Sequence, residues 1–142
     1  MKILVTGGAG FLGQQLIRAM LGHASLDVGG KPMRIDRIVC FDQAVGAITD
    51  PRVTNVVGDI ADAATVARLV DRDTALVAHL AAVVSGTAEA DFDLGMRVNL
   101  DGTRALLERC RALGQQPLVL FSSSIAVFGG SLPPVVTDAT TP

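Results

Sequence analysis

Thr6-Gly7-Gly8-Ala9-Gly10-Phe11-Leu12-Gly13 is the stretch that decides how this chain folds. It follows a short apolar run, Lys2-Ile3-Leu4-Val5, and leads into an amphipathic stretch from Phe11 to Leu21. Strand, glycine-rich turn and helix thus come in the order that the pyrophosphate of a dinucleotide requires. Gly7 allows the tight exit from the strand. Gly10, having no Cβ, lets phosphate oxygens approach backbone N–H groups, and Gly13 lets the helix pack closely on the strand. The helix N-terminus adds unpaired donors and the positive end of its dipole.

A length of 142 residues suits one domain with a real core, so residues 1–142 read as a single nucleotide-binding domain. Hydrophobic residues are 49% of the chain and charged residues 18%, which argues against general disorder. The net charge of −2, with no basic block, speaks against a nucleic-acid surface. No apolar run is long enough to span a bilayer, so no membrane partner is expected. The N-terminal strand runs straight into the glycine turn, so a cleavable leader is not expected and a cytoplasmic location is. Cys40 and Cys110 have no second Cys or His at metal-ligand spacing, and read as buried free thiols without a metal. The chain has no Tyr or Trp, and its only lysines are Lys2 and Lys31. A mechanism that pairs a phenol with an ammonium group cannot be housed in it.

Strand-like and helix-like segments alternate along the chain. Strands are predicted over Lys2–Thr6, Ile35–Asp42, Arg52–Val57, Thr74–Leu80 and Pro117–Phe121, with helices over Phe11–Leu21, Asp62–Val70 and about Ala90–Leu113. Gly22–Lys31 reads as a flexible insert closed by Pro32. Asp62 is placed to cap its helix. Asn99, Thr103, Leu106, Leu107 and Cys110 recur at helical spacing on one side of the long helix, and Gly114 stops it. Residues from Gly129 to Pro142 read as loop. Alternating strands and helices imply parallel pairing with right-handed crossovers. Apolar strands such as Leu118-Val119-Leu120-Phe121 fit a sheet covered on both faces. The predicted fold is a doubly wound α/β sheet of the Rossmann kind, ordered 3-2-1-4-5.

Candidate site residues gather at the carboxyl ends of these strands, where open α/β sheets bind ligands. Asp42 ends the second strand, where a carboxylate accepts from ribose hydroxyls and repels a 2′-phosphate, favouring NAD over NADP; a solvated strand-end Asp is the other reading. Its distance from the turn exceeds the roughly 20 residues usual for this fingerprint, an excess that the insert explains. Asp59 could accept from an adenine amino group while Ile60 covers the ring, or Asp59 is simply a turn residue after Gly58. His79-Leu80-Ala81-Ala82 leaves room for a cofactor against the backbone. His79 titrates near neutrality, yet its apolar strand favours a packed, hydrogen-bonded imidazole. Ser122, Ser123 and Ser124 leave the last strand at the same edge and can hydrogen-bond a substrate oxygen or cap a turn. Without a Gly-x-Ser-x-Gly elbow they do not read as a hydrolase nucleophile. Asn99 could face inward and hold a neighbouring strand carbonyl.

Taken in order, these residues resemble the extended short-chain dehydrogenase/reductase family, the NAD-dependent epimerases and dehydratases. The marks are the turn at Thr6–Gly13, Asp42, Asp59-Ile60, His79–Ala82, Asn99-Leu-Asp-Gly-Thr103 and Phe121–Gly129. The resemblance implies NAD as cofactor, with Gly7, Gly10, Phe11 and Leu12 on the pyrophosphate and Asp42 on the adenosine ribose. It implies Asp59 and Ile60 on the adenine, and Leu80, Ala81, Ala82 and Asn99 along the cofactor, with Ser122 towards the nicotinamide. Ser124 matches the catalytic Ser/Thr that hydrogen-bonds the reacting hydroxyl, and Ser85 and Gly86 fall in the substrate loop. The segments Ala81–Asp93 and Ser123–Gly130 narrow the likeness to members that oxidise a four-carbon sugar acid at its C2 hydroxyl.

The family's base is a Tyr four residues before a Lys, and neither is present in a matching position. In relatives a Thr-Pro like Thr141-Pro142 lies shortly before that Tyr. The expectation is therefore an N-terminal part of a longer enzyme, truncated before the later strands and the substrate lobe. Such a piece would be inactive alone, homodimeric when complete, and prone to self-association through Leu118–Phe121. Two alternatives stay open: a nucleoside-diphosphate-sugar epimerase or dehydratase, and a non-catalytic NAD-binding module.

Overall fold

The computed structural model describes residues 1–128 and 133–140. A five-stranded parallel sheet carries the fold. Its strands are β1 (Lys2–Thr6), β4 (Arg37–Asp42), β5 (Val53–Val57), β6 (Thr74–His79) and β7 (Leu118–Phe121), in spatial order β5-β4-β1-β6-β7. Counting these five alone, the order is the predicted 3-2-1-4-5. Helices α1 (Phe11–Leu21), α2 (Ala63–Leu69), α3 (Ser85–Ala90), α4 (Phe92–Gly95) and α5 (Thr103–Ala112) make the connections.

Alternation along the strands splits the core into two layers, because successive side chains point to opposite faces. Leu4, Val39, Phe41 and Val77 face one way and pack with Val66, Leu69, Val98 and Leu106. Ile3, Val5, Ile38, Cys40 and Leu76 face the other way, against Ile17 and Met20 of α1. Both cysteines are free and buried. Asp62 caps α2 as predicted, its carboxylate accepting from the N–H groups of Ala64 (3.1 Å) and Thr65 (3.2 Å). Gly114 takes a left-handed φ of 75° just past the end of α5.

Four expectations are corrected. The supposed flexible insert is a two-stranded antiparallel hairpin, β2 (Ser25–Val28) and β3 (Lys31–Arg34). Its turn residues Gly29 and Gly30 both have positive φ, the geometry that suits a two-residue hairpin turn. Pro32 pairs with Asp27 inside β3, tolerated because each hairpin strand has a free edge. The long helix does not start at Ala90. Asp91 breaks it from α3 and caps α4 by accepting from Leu94 N–H at 2.9 Å, and α4 passes through a π-helical segment, Met96–Gly102, into α5. Leu107 points to solvent rather than inward. Finally, β7 is not covered on both faces: Leu118, Leu120 and Phe121 are 43%, 49% and 60% exposed. The layer packed by α1 ends before it reaches this edge strand.

Among the described residues no helix is long and apolar enough to cross a membrane, and no group of His, Cys, Asp and Glu is placed to hold a metal ion. Gly129, Gly130, Thr141 and Pro142 of the sequence motifs lie outside the described residues.

Candidate functional site

The turn after β1 builds the site. Gly7 has φ 69°, and a Cβ there would lie 2.8 Å from the backbone of Leu80 and Ala81. Only glycine lets β1 and β6 leave the sheet side by side. A Cβ at Gly13 would strike the Gly7 carbonyl and come within 2.6 Å of Gly8 Cα, so Gly13 seats the helix on the turn itself. α1 begins at Phe11 after Gly10, which supplies no side-chain cap. Phe11 and Leu12 stand largely exposed at this N-terminus, an unusual place for two large apolar side chains.

A cleft of about 230 Å³ opens in front of the turn at the carboxyl edge of the sheet. Gly7, Gly10, Asp42, Ile60, Leu80, Ala81 and Ala82 all line it. The structure thus brings together seven of the sequence-predicted residues. Phe11, Leu12, Asp59 and Asn99 flank the cleft without forming its wall. Ser85 and Gly86 open α3, exposed, and Ser122 and Ser124 leave β7 exposed on the same sheet edge. Ser122 N–H donates to the His79 carbonyl at 3.2 Å, which ties the serine run to the end of β6.

Asp42 bridges the turn to its own loop. One carboxylate oxygen accepts from Ala9 N–H at 3.1 Å and the other from Gln43 N–H at 2.7 Å. Asp59 accepts from Ala61 N–H (2.9 Å) and from Arg97 Nη1 (2.5 Å). The Ala61 N–H first, and the Arg97 guanidinium second, hold its carboxyl below the ordinary carboxylate range. Burial, with the Asp42 charge adding to it, pushes the Cys40 thiol up.

His79 is a buried strut. The Thr103 hydroxyl donates to the Asn99 carbonyl at 2.7 Å, so at 2.9 Å it must accept from His79 Nε2–H. His79 Nδ1 then accepts from the Thr6 hydroxyl at 2.6 Å, while Thr6 Oγ1 accepts Ala81 N–H at 3.2 Å. These directions assign a neutral imidazole protonated at Nε2. Burial depresses its pKa in the same sense. Asn99 is exposed, not inward-facing, and its amide grips the loop after β6: Oδ1 accepts Val83 N–H at 2.8 Å and Nδ2 donates to Val83 C=O at 2.9 Å. One chain of bonds therefore runs from β1 through His79 to the π-helical segment and sets the Ala81–Val83 wall.

Sequence reasoning missed Phe41, Gln43, Gly58, Val83 and Val98 in the cleft wall. Gly58 precedes Asp59 at a strand exit and Val98 precedes Asn99, so adjacency to named residues was the available signal. Arg97 carried none, because its partner lies 38 residues away.

The family model described as the 3-beta hydroxysteroid dehydrogenase/isomerase family matches residues 4–140. D-erythronate dehydrogenase from Cupriavidus necator is 58% identical over 99% of this chain and 44% of its own length. The solved structure of a nucleoside-diphosphate-sugar epimerase from Agrobacterium tumefaciens is 38% identical, with a TM-score of 0.79 over 94% of this chain and 40% of that one. A mutant uronate dehydrogenase from the same organism, solved with NAD, is 27% identical, with a TM-score of 0.72 over 90% of this chain and 42% of its own. The chain spans less than half the length of the relatives it matches.

Proposed function

The chain belongs to the 3-beta hydroxysteroid dehydrogenase/isomerase family, and on that premise we propose that it is the N-terminal, NAD-binding part of a dehydrogenase acting on a small sugar acid, D-erythronate or a close analogue. The observation that carries this reading is the cleft that Gly7, Gly10 and Asp42 line together at the carboxyl edge of the sheet. NAD fits the residues present. A Cβ at Gly10 would meet only the Gly7 carbonyl, at 3.2 Å, so the fold leaves space there for an incoming group. Asp42 offers lone pairs to ribose hydroxyls, and residues 43–49 hold no Lys or Arg that would welcome a 2′-phosphate. Exposed Phe11 and Leu12 gain cover from the cofactor.

When bound, the nicotinamide would supply the hydride acceptor for the carbon bearing the substrate's C2 hydroxyl. The chain's own part is to bind and orient. Gly7, Gly10, Phe11 and Leu12 hold the pyrophosphate, Asp42 the ribose, and Asp59 with Ile60 the adenine. Leu80, Ala81, Ala82 and the Asn99-held loop carry the middle, and Ser122 approaches the nicotinamide. Ser124 hydrogen-bonds the reacting hydroxyl, and Ser85 and Gly86 meet the substrate. The hydroxyl proton needs a base. His79 is enclosed by Thr6 and Thr103, Lys2 is buried against Asp71, and the chain has no Tyr. We place the base outside these residues, in a longer, cytoplasmic, homodimeric protein.

Calorimetric titration of the chain tests the binding half: NAD should bind at least about tenfold more tightly than NADP, a difference of about 1.4 kcal/mol. Failure to bind NAD overturns the reading. NADH formation from D-erythronate by the 142-residue chain would overturn the placement of the base. Its 38% identity to the solved sugar-nucleotide epimerase favours a second reading, nucleotide-sugar epimerisation. Turnover of a nucleoside-diphosphate sugar but not of D-erythronate by the longer protein would select it.

A further inference from the structure

Asp59 and Arg97 form an ion pair between two elements that both line the cleft. Asp59 lies between Gly58 and Ile60, and Arg97 precedes Val98; Gly58, Ile60 and Val98 are all wall residues. The pair is drawn together by a close approach. A Cβ at Gly102 would lie 3.0 Å from Ile60 Cγ2 and 3.3 Å from the Ile60 carbonyl, so the end of the π-helical segment rests on Ile60 itself. Val98 is buried in the same core layer as Ile60, which leaves Arg97 beside the rim of the cleft.

We propose that Arg97 is a positioning residue for the adenine end of the site: it orients the Asp59 carboxylate so that the remaining lone pairs meet the exocyclic amino group of the base. This rests on the dinucleotide reading above. Ala61 N–H fixes Oδ1 and Arg97 Nη1 fixes Oδ2, so rotation about the last side-chain bond is blocked from both sides. Each carboxylate oxygen carries a second lone pair that these bonds do not use. Held ionised, the group is an acceptor only. It therefore suits the 6-amino group of adenine and opposes the 6-carbonyl of hypoxanthine. Without Arg97, only the Ala61 N–H would steer it.

The test compares NAD with nicotinamide hypoxanthine dinucleotide, which carries a 6-carbonyl and an N1–H where adenine has the 6-amino group and a bare N1. A hydrogen bond to a charged partner is among the stronger ones, so the wild-type chain should prefer NAD by about tenfold or more. Arg97→Met should weaken NAD by about the same factor and leave the hypoxanthine analogue within about twofold. Asp59→Asn should do likewise, and the double variant should lose no more than either single one, the mark of residues acting as a unit. Arg97→Lys should restore part of the preference, and serves as the working variant if Arg97→Met fails to fold by circular dichroism. Equal weakening of both dinucleotides by Arg97→Met, or an unchanged NAD affinity, overturns the proposal. If the wild type binds neither dinucleotide, the nucleotide reading falls and this one with it; if it binds NAD and the preference survives Arg97→Met, this one falls alone.

Discussion

β1 and β7 are written in nearly the same residues, Ile-Leu-Val against Leu-Val-Leu-Phe, yet they live in different surroundings. β1 sits mid-sheet with all five residues buried, while β7 ends the sheet with most of its side chains half exposed. The difference teaches that apolar sequence states what a strand needs, whereas topology decides how much it receives. In β1, Leu4 joins one core layer and Ile3 and Val5 the other. In β7, Val119 reaches one layer, while Leu118 and Leu120, in register with buried Leu76 and Ala78, extend past the cover that α1 provides. An apolar strand with a bare edge is a template for further pairing.

The largest test of that contrast is a matched truncation. Leu4→Ala should lower unfolding free energy by about 3 kcal/mol and Leu120→Ala by less than about 1 kcal/mol, read from denaturant midpoints at constant slope. Equal losses would erase the distinction between the strands. Next comes the turn that β1 delivers. Gly7→Ala must take up a left-handed φ and press on Leu80 and Ala81, so a loss of about 2 kcal/mol is expected, with NAD titration showing more than tenfold weaker binding. A variant that binds NAD normally would detach the turn's shape from its role.

A smaller effect sharpens the contrast through His79, which joins the end of β1 to β6 and meets Phe121 of β7 in a tilted ring contact with centroids 5.8 Å apart. Burial lowers its folded pKa beneath the ordinary 6.5, so the unfolded chain takes the proton first. Its contribution is fully present above about pH 6.5 and is lost as the pH falls from there through the depressed value. Unfolding free energy measured between pH 7.5 and 5 should therefore decline, and His79→Gln should flatten the slope; a variant with the wild-type slope would clear His79 of the effect. The smallest change to the fold itself belongs to Leu120→Lys, expected within about 0.5 kcal/mol of wild type. The same change should abolish concentration-dependent association in light scattering. A wild-type chain that stays monomeric at high concentration would show that the bare edge is harmless.

Local signals made much of this legible in the sequence. The Gly7–Gly13 spacing, the Asp62 cap and the five parallel strands with α1 and α2 between them each depend on residues a few positions apart, and each is present in the fold. What escaped depends on contacts distant in sequence or on small energetic choices. Nothing local announces that Arg97 will meet Asp59, or that the Thr6 and Thr103 hydroxyls will hold His79 neutral between them. The Gly29-Gly30 pair signalled a turn, but Ser25–Val28 and Lys31–Arg34 are short and mixed, so their pairing rests on the turn more than on the strands. The break at Asp91 was hidden by helix-compatible residues on both sides, and a capping carboxylate decided it.

The hairpin has one more consequence. Ala9 N–H reaches Asp42 across 33 residues of sequence at 3.1 Å, although the whole β2–β3 excursion lies between them. At its Gly29-Gly30 tip a Cβ would find nothing within 4 Å, and no residue of the hairpin lines the cleft. The tip is thus a natural port: a fluorophore, an affinity handle or a guest sequence could be spliced there without entering the cleft.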